Sequence, residues 1–457
     1  MTAIKEHAAL AAEFNKDEPR VNWHDQTLWT VRQRRDLRMQ QVPEWEALRE
    51  VASQIKEHVL SNLHQYLLQF EQQAQKNGIT VHWAADAQEH NEIICSILKR
   101  LQINKMVKSK SMLTEECGLN EYLHTQGIDV VDSDLGERII QLAHQKPTHI
   151  VMPAIHLKKE EIGEIFHEHL GTPKGLSDPQ ALTETARLHL REVFLTRRAA
   201  LTGVNFAIAA TGEFVVCTNE GNADMGAHLS DVHIASMGIE KLVPERKHMG
   251  IFLRLLARSA TGQPITTYSS HFSVPRKGQE MHIVLVDKGR TRQLGREDFR
   301  GSLKCIKCAA CMNTCPVYRR SGGYSYQNTI AGPIGSILAP NLDMQRYKSL
   351  PFASTLCGSC SNVCPVKIDI HQQLYKWRQV IVQEGYSDSR KTVLMKLMSR
   401  ILSSRSMYRF SGRALRWILK YAPFLVNNNR NAWYNQRDMP RTPQHSFGAW
   451  YKKNRTI

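Results

Sequence analysis

Seven cysteines fall within the sixty residues from Cys305 to Cys364, and their spacing limits what this stretch can fold around. The first run, Cys305-Ile-Lys-Cys308-Ala-Ala-Cys311-Met-Asn-Thr-Cys315-Pro316, has the C-x2-C-x2-C-x3-C-P spacing of bacterial ferredoxins. Thiolates at i, i+3 and i+6 on a tight turn reach three corners of one cubane. The fourth cysteine is carried away by the chain and ligates the other cluster, and the following proline bends the chain out of the site.

The signature recurs about 50 residues later as Ser354-Thr-Leu-Cys357-Gly-Ser-Cys360-Ser-Asn-Val-Cys364-Pro365. It matches the template except that Ser354 replaces the first cysteine. Crossed ligation then gives cluster 1 Cys305, Cys308, Cys311 and Cys364, and cluster 2 Cys315, Cys357 and Cys360, so cluster 2 has three thiolates. A three-iron cluster, a four-iron cluster with the Ser354 oxygen or water on the fourth iron, and a ligand from a partner subunit all satisfy that count. A four-cysteine zinc ribbon built from the pairs 305/308 and 357/360 would leave Cys311, Cys315, Cys364 and both Cys-Pro endings unexplained. Iron–sulfur chemistry, most simply two 4Fe-4S clusters, accounts for all seven.

The remaining cysteines read otherwise. Cys95 falls on the apolar face of an expected helix and Cys217 in an expected strand, as small core residues. Cys117 has no partner cysteine nearby. Cysteine-rich chains without a signal peptide point to a reducing compartment and metal ligation rather than disulfides. The N-terminus, MTAIKEHAALAAEF, does not read as a signal peptide, and no apolar run reaches membrane-spanning length. A cytoplasmic protein is expected.

Upstream of the cysteines the pattern changes twice. Residues 1–75 look helical, with Leu60, Leu63, Leu67 and Phe70 at spacings of three and four, and a second stripe from Trp45 and Leu48 after Pro43. Residues 76–290 alternate helical stretches with β-rich runs at Val81–Ala84, Met106–Ser109, Ile128–Val131, His149–Met152, Phe206–Ala209, Phe214–Thr218 and His282–Val286. That rhythm predicts an α/β domain with a largely parallel sheet. Ala210-Thr211-Gly212-Glu213 predicts a hairpin turn. Arg290–Arg300 reads as a linker into a helical two-cluster ferredoxin-like domain over 291–385. There the long insert around Tyr324, Tyr326 and Gly332-Pro-Ile-Gly335 exceeds what a compact ferredoxin needs. Ile370, Leu374, Trp377 and Ile381 predict a helix packed beside the cysteines.

Charge is concentrated at the end. Of the net +17, the segment Lys391–Ile457 carries +13, with Asp438 as its one acid. Within the tail, 386–457, Arg405, Arg409, Arg413, Arg416 and Lys420 form a basic helical stripe beside Met407, Leu415, Trp417 and Leu419. Docking on an anionic membrane face or an acidic partner suits it. Nucleic acid does not, because no stacking platform or known module accompanies the charge.

The stretches CIKCAACMNTCPVYRRSGGYSY, AGPIGSIL and FASTLCGSCSNVCPVKID resemble the lactate utilization protein B family. So do VKSKSMLTEE, GVNFAIAATGEFVVCTNEGNADM and HIASMGIEKLVP upstream, and RDMPRTPQHSFGAWYKK downstream. That family pattern also lacks the first cysteine of its second run. The resemblance implies an iron–sulfur, electron-transfer subunit of a complex oxidising L-lactate to pyruvate, working with other subunits toward an unidentified acceptor. It also implies an α/β domain like that of sugar-phosphate isomerases and CoA transferases.

A rival class is a self-contained oxidoreductase for another 2-hydroxy acid, such as glycolate, with its substrate site in the α/β domain. A third is a binding protein with structural clusters. The polar segment Thr218–Gly226 after a strand suits a small-molecule pocket or a plain turn. Glu213, by analogy with the CoA transferases, is a candidate nucleophile, though a turn position explains its polarity. Lys108 and Lys110 lie before Thr114, an expected helix N-cap. His167 and His169, two apart, face different ways. The sequence has no G-x-G-x-x-G, so no bound flavin or NAD is expected, and no catalytic residue stands out.

Overall fold

The computed structural model describes residues 6–428, 431, 434 and 439–455. Met1–Val380 forms one compact unit and Ile381–Ile457 a second. Asp438 lies outside the described residues.

The first unit is built on two sheets. Strands β1 (Thr80–Ala84), β2 (Lys105–Lys108), β3 (Asp129–Asp132), β4 (Ala199–Gly203), β7 (Val232–Gly238) and β10 (Glu280–Val286) form a six-stranded sheet in the order β1-β10-β7-β4-β2-β3. Every pairing in it is parallel, with Met237 opposite Leu285 and Val107 opposite Ala200. Strands β4, β7 and β10 are buried almost throughout, as expected where helices cover both faces of a parallel sheet. The second sheet, β8-β5-β6-β9, joins β5 (Phe206–Ile208), β6 (Glu213–Thr218), β8 (Leu242–Val243) and β9 (Tyr268–Phe272).

The expected hairpin is present. β5 and β6 pair antiparallel with Ile208 opposite Glu213, and Gly212 turns the chain at φ +70°. A Cβ at Gly212 would lie 2.3 Å from the Ala74 nitrogen, so no side chain fits there. Glu213 itself is the first residue of β6 rather than part of the turn.

Several expectations are corrected. His149–Met152 is not a strand: the His149 ring accepts the N–H groups of Val151 and Met152 (3.1 and 3.0 Å), which closes a turn instead of offering them to a ladder. Strands β4 and β7 were not expected, because their Ala, Thr, Ser and Gly content (AALTG, VHIASMG) lacks the β-branched density that signals a strand. Arg290–Arg300 is no loose linker. Arg290–Leu294 is helical, and buried Arg290 pairs with Glu240 at 2.5 Å and Glu116 at 3.5 Å. The stripe from Leu60 to Phe70 is buried as expected, but two helices share it, breaking at Asn62.

Helices Glu18–Gln40 and Trp45–Ser61 pack against the cysteine region. One apolar core runs through Leu28, Trp45, Phe206, Val215, Phe252, Met312, Val363 and Trp377, so the four-stranded sheet, the N-terminal helices and the cysteine loops share one interior, while the parallel sheet packs in other cores. The helix Ile370–Gln383 lays Ile370, Leu374 and Trp377 into it. There Trp377 stacks on Phe299 at 3.9 Å and donates to the Ile337 carbonyl at 2.9 Å.

In the second unit, helices Ser389–Ser403 and Arg405–Tyr421 carry no buried residue. Among the described residues no helix is long and apolar enough to cross a membrane.

Candidate metal centre

The two cysteine runs fold alike. In the first, Lys307 and Ala309 flank Cys308 with φ of +60° and +63°; in the second, Leu356 and Gly358 flank Cys357 with φ of +55° and +78°. Three of these four are not glycine, and left-handed backbone there costs energy that a packed site must offset. Each loop runs into a single helical turn, Ala310–Thr314 and Ser359–Val363. The turns touch through Thr314 and Ser359, whose hydroxyls lie 2.6 Å apart.

Backbone amides point at the sulfurs. Lys307 N–H donates to Cys305 Sγ (3.4 Å), Tyr318 N–H to Cys315 Sγ (3.5 Å) and Ile368 N–H to Cys364 Sγ (3.4 Å). Ser354 copies the first of these: Leu356 N–H donates to Ser354 Oγ at 3.1 Å. The serine oxygen thus stands in its loop where the Cys305 sulfur stands in the other.

A small apolar cavity is lined by Cys305, Cys308, Cys311 and Cys364, with Ile150, Ile334 and Val366 among its walls. Cys364 comes from the second run and joins three cysteines of the first. Cys315 lies within electrostatic reach of Cys357 and Cys360. Cys357 is exposed, Cys305 is partly buried and the other five are buried.

Burial pushes the Cys360 thiol up to about 12 and Cys364 to about 11, and it raises Cys308 and Cys311 as well. Such thiols hold their protons until metal displaces them. Among the described residues no three His, Cys, Asp or Glu side chains are placed to share a single metal ion. A cubane, whose thiolates bind different irons, needs a wider spacing. Four sulfurs around a dry cavity, with amide donors aimed at them, fit such a cluster.

Two arginines in this site carry no sequence motif. Arg49 donates to the Cys364 carbonyl (3.0 and 2.9 Å) and the Asn362 carbonyl (2.6 Å). Arg35 donates to the Val363 carbonyl at 3.1 Å. Both are buried, at 6% and 4% exposure, and they sit within electrostatic reach of Cys364 and Cys308 respectively. A signal existed. Arg35 continues the apolar spacing of Leu28 and Val31, and Arg49 lies between Trp45 and Ala52 on the buried face of its helix. A cation on an apolar stripe needs a buried partner.

The other candidates resolve into structure. Glu213 is buried and ion-paired to Arg246 (Nε to Oε2, 3.1 Å), with His271 at 3.3 Å, which accounts for its carboxylate. Lys108 is fully buried against Asp132 (2.7 Å), Glu115 (2.8 Å) and Glu137 (3.8 Å), so it is no free anion site. Ser111, not Thr114, caps the helix Met112–Cys117, accepting the Thr114 N–H at 3.3 Å. Thr114 lies one turn in, and its hydroxyl bonds the Ser111 carbonyl. The His167 ring hydrogen-bonds the Thr172 carbonyl just past its helix, and His169 faces His144. Cys95 is a core residue. Cys117 is buried and pushed up to about 12 by that burial, and Cys217 is raised to about 11 for the same reason.

Residues 67–292 match the LUD domain family and residues 301–368 the 4Fe-4S dicluster domain family. The chain is 42% identical over 422 residues to "Lactate utilization protein B" of Oceanobacillus iheyensis, covering 90% of this chain and 88% of that protein. It is also 42% identical over 430 residues to the protein of the same name in Geobacillus thermodenitrificans, covering 91% and 90%. A solved DUF162 family protein from Deinococcus radiodurans aligns with 49% of this chain and 98% of its own at 15% identity and a TM-score of 0.28, too low to bear on the fold.

Proposed function

This chain belongs to the lactate utilization protein B family, and from that premise we propose that it is the iron–sulfur electron-transfer subunit of a complex oxidising L-lactate to pyruvate. In this reading Cys305, Cys308, Cys311 and Cys364 hold cluster 1, and Cys315, Cys357 and Cys360 hold cluster 2. The observation that carries it is the cavity shared by three cysteines of the first run and Cys364 of the second. Oxidising lactate to pyruvate releases two electrons and two protons, and two bound clusters would supply one-electron carriers for that pair. The chain's own residues bury five of the seven sulfurs, donate amide hydrogen bonds to Cys305, Cys315 and Cys364, and bring Arg35, Arg49 and Lys241 near cluster 1. Burial, hydrogen bonding and charge are the protein's levers on potential.

We read the α/β region as related to the sugar-phosphate isomerase and CoA-transferase fold. The tail is assigned to docking on other subunits or on an anionic membrane face. On the helix Arg405–Tyr421, the exposed side chains of Met407, Leu415 and Trp417 accompany the basic stripe. The rival reading, a self-contained oxidoreductase, draws support from a cavity in the α/β region that reaches Cys308.

Anaerobic purification with iron and sulfide analysis and EPR tests the cluster content. About eight irons, or about seven with an oxidised three-iron signal, are expected; zinc without a paramagnetic signal would overturn the proposal. Lactate should reduce the clusters only when partner subunits are added. Turnover by the isolated chain with lactate and an artificial acceptor would favour the self-contained enzyme.

A further inference from the structure

At the C-terminal ends of β2, β4 and β7 a cavity of about 250 Å³ lies between the parallel sheet and the first cysteine loop. Its sheet side includes Gly203 and Ser236, and its cluster side Lys307 and Cys308. This edge of a parallel sheet is where α/β proteins place ligands, because strand ends and helix starts converge there.

The charges of the lining are mostly paired off. Arg290 takes Glu240 and Glu116. Lys110 donates to the Val151 carbonyl at 2.6 Å and has Asp134 at 3.6 Å. Two ammonium groups remain. Among the described residues neither Lys241 nor Lys307 has a carboxylate at ion-pair distance; Glu240, already held by Arg290, lies within electrostatic reach of both, the two lysines lie within reach of each other, and Lys241 lies within reach of Cys305. The buried Thr218 hydroxyl in the same lining also lacks a partner. Glu220 lies beside Asp134 and within electrostatic reach of Lys110, and it accepts the Leu135 N–H at 3.1 Å. Neighbouring cations with a spare hydroxyl donor form an anion site, since an anion between them replaces repulsion with charge-assisted hydrogen bonds.

We propose that this cavity binds a small oxyanion, the carboxylate of an organic acid or inorganic phosphate, between Lys241 and Lys307 and against the loop that carries Cys308. The two lysines stabilise the more negative, reduced state of a cluster in that loop. An anion bound between them cancels part of this field, so occupancy moves that cluster's potential to more negative values and leaves the other cluster unchanged.

The test uses anaerobically purified holoprotein, equilibrium dialysis with pyruvate and separately with phosphate, and EPR-monitored redox titration with and without each. Saturable binding of at least one is expected, with a negative shift of one wave only. Lys241→Gln should weaken binding about tenfold at unchanged iron content. Thr218→Val, which keeps the charge, provides a second variant with a severalfold loss should Lys241→Gln not fold. Pyruvate binding without phosphate binding assigns a carboxylate site, and the reverse a phosphate site. Binding of neither at millimolar concentration overturns the proposal, as does binding undiminished in both variants. Binding that moves no potential overturns its placement beside the cluster.

Discussion

The loops 305–315 and 354–364 are two copies of one local structure in unlike surroundings. They share left-handed residues on either side of the second template position, a one-turn helix, a Cys-Pro ending and an amide aimed at the first template position. They differ in what stands at that position, Cys305 against Ser354, and in access to water, since Cys357 is exposed while Cys308, its counterpart, is buried. The two crossed ligand sets differ as well in nearby charge. Lys56 and Lys241 lie within electrostatic reach of Cys305, Arg35 of Cys308 and Arg49 of Cys364, whereas Arg319 is the neighbour of Cys315. Repeating a loop duplicates a ligand set. It does not duplicate a potential, because potential follows charge, hydrogen bonding and solvent around the sulfurs.

The largest effect is expected at the crossed cysteines. Cys364→Ala should remove about four irons and the cluster 1 signal although it lies in the second run, and Cys315→Ala should abolish the cluster 2 signal although it lies in the first. Iron analysis with EPR decides; loss of the same-run cluster in each case would refute crossed ligation.

Arg49→Ala should come next. It strips the carbonyls of Cys364 and Asn362 of their charged donor, and a loss of about 3 kcal/mol is expected in denaturant unfolding of the holoprotein. Cluster 1 should bleach before cluster 2.

Ser354→Cys sharpens the contrast at its one sequence difference. A fourth thiolate adds negative charge, so one reduction wave should move negative by on the order of 100 mV while the other stays. Identical titrations of variant and wild type would exclude Ser354 from the site.

The smallest effect is expected from Arg35→Met, which removes one buried cation near Cys308. A negative shift of about 50 mV, confined to cluster 1, follows for a one-electron couple. A shift of both waves would mean that the two environments are not electrically separate.

The seven candidate ligands, the parallel character of the sheet, the β5–β6 hairpin and the helix through Ile370, Leu374 and Trp377 were all legible in residue spacing. Those features rest on local periodicity or on one turn's chemistry. What escaped has a common cause. β4 and β7 are made strands by being sandwiched in the sheet, despite small and polar residues that carry weak propensity. Arg290 lies in an apparently solvated run and is buried only because Glu240 and Glu116 meet it from distant segments. Glu213 and Lys108 suggested chemistry as isolated charges, and each proved neutralised by partners far along the chain or across the sheet.

Residue spacing alone named seven candidate ligand cysteines and showed that Ser354 occupies the first template position of the second run, because a C-x2-C-x2-C-x3-C-P template is read over a few adjacent residues. The surroundings that make the two loops unequal come from long-range packing. Arg35, Arg49 and Lys241 reach the cysteine loops from helices and strand ends far away in the chain. Ligand geometry is fixed over a few bonds, whereas an electric field sums over every charge within reach regardless of sequence distance.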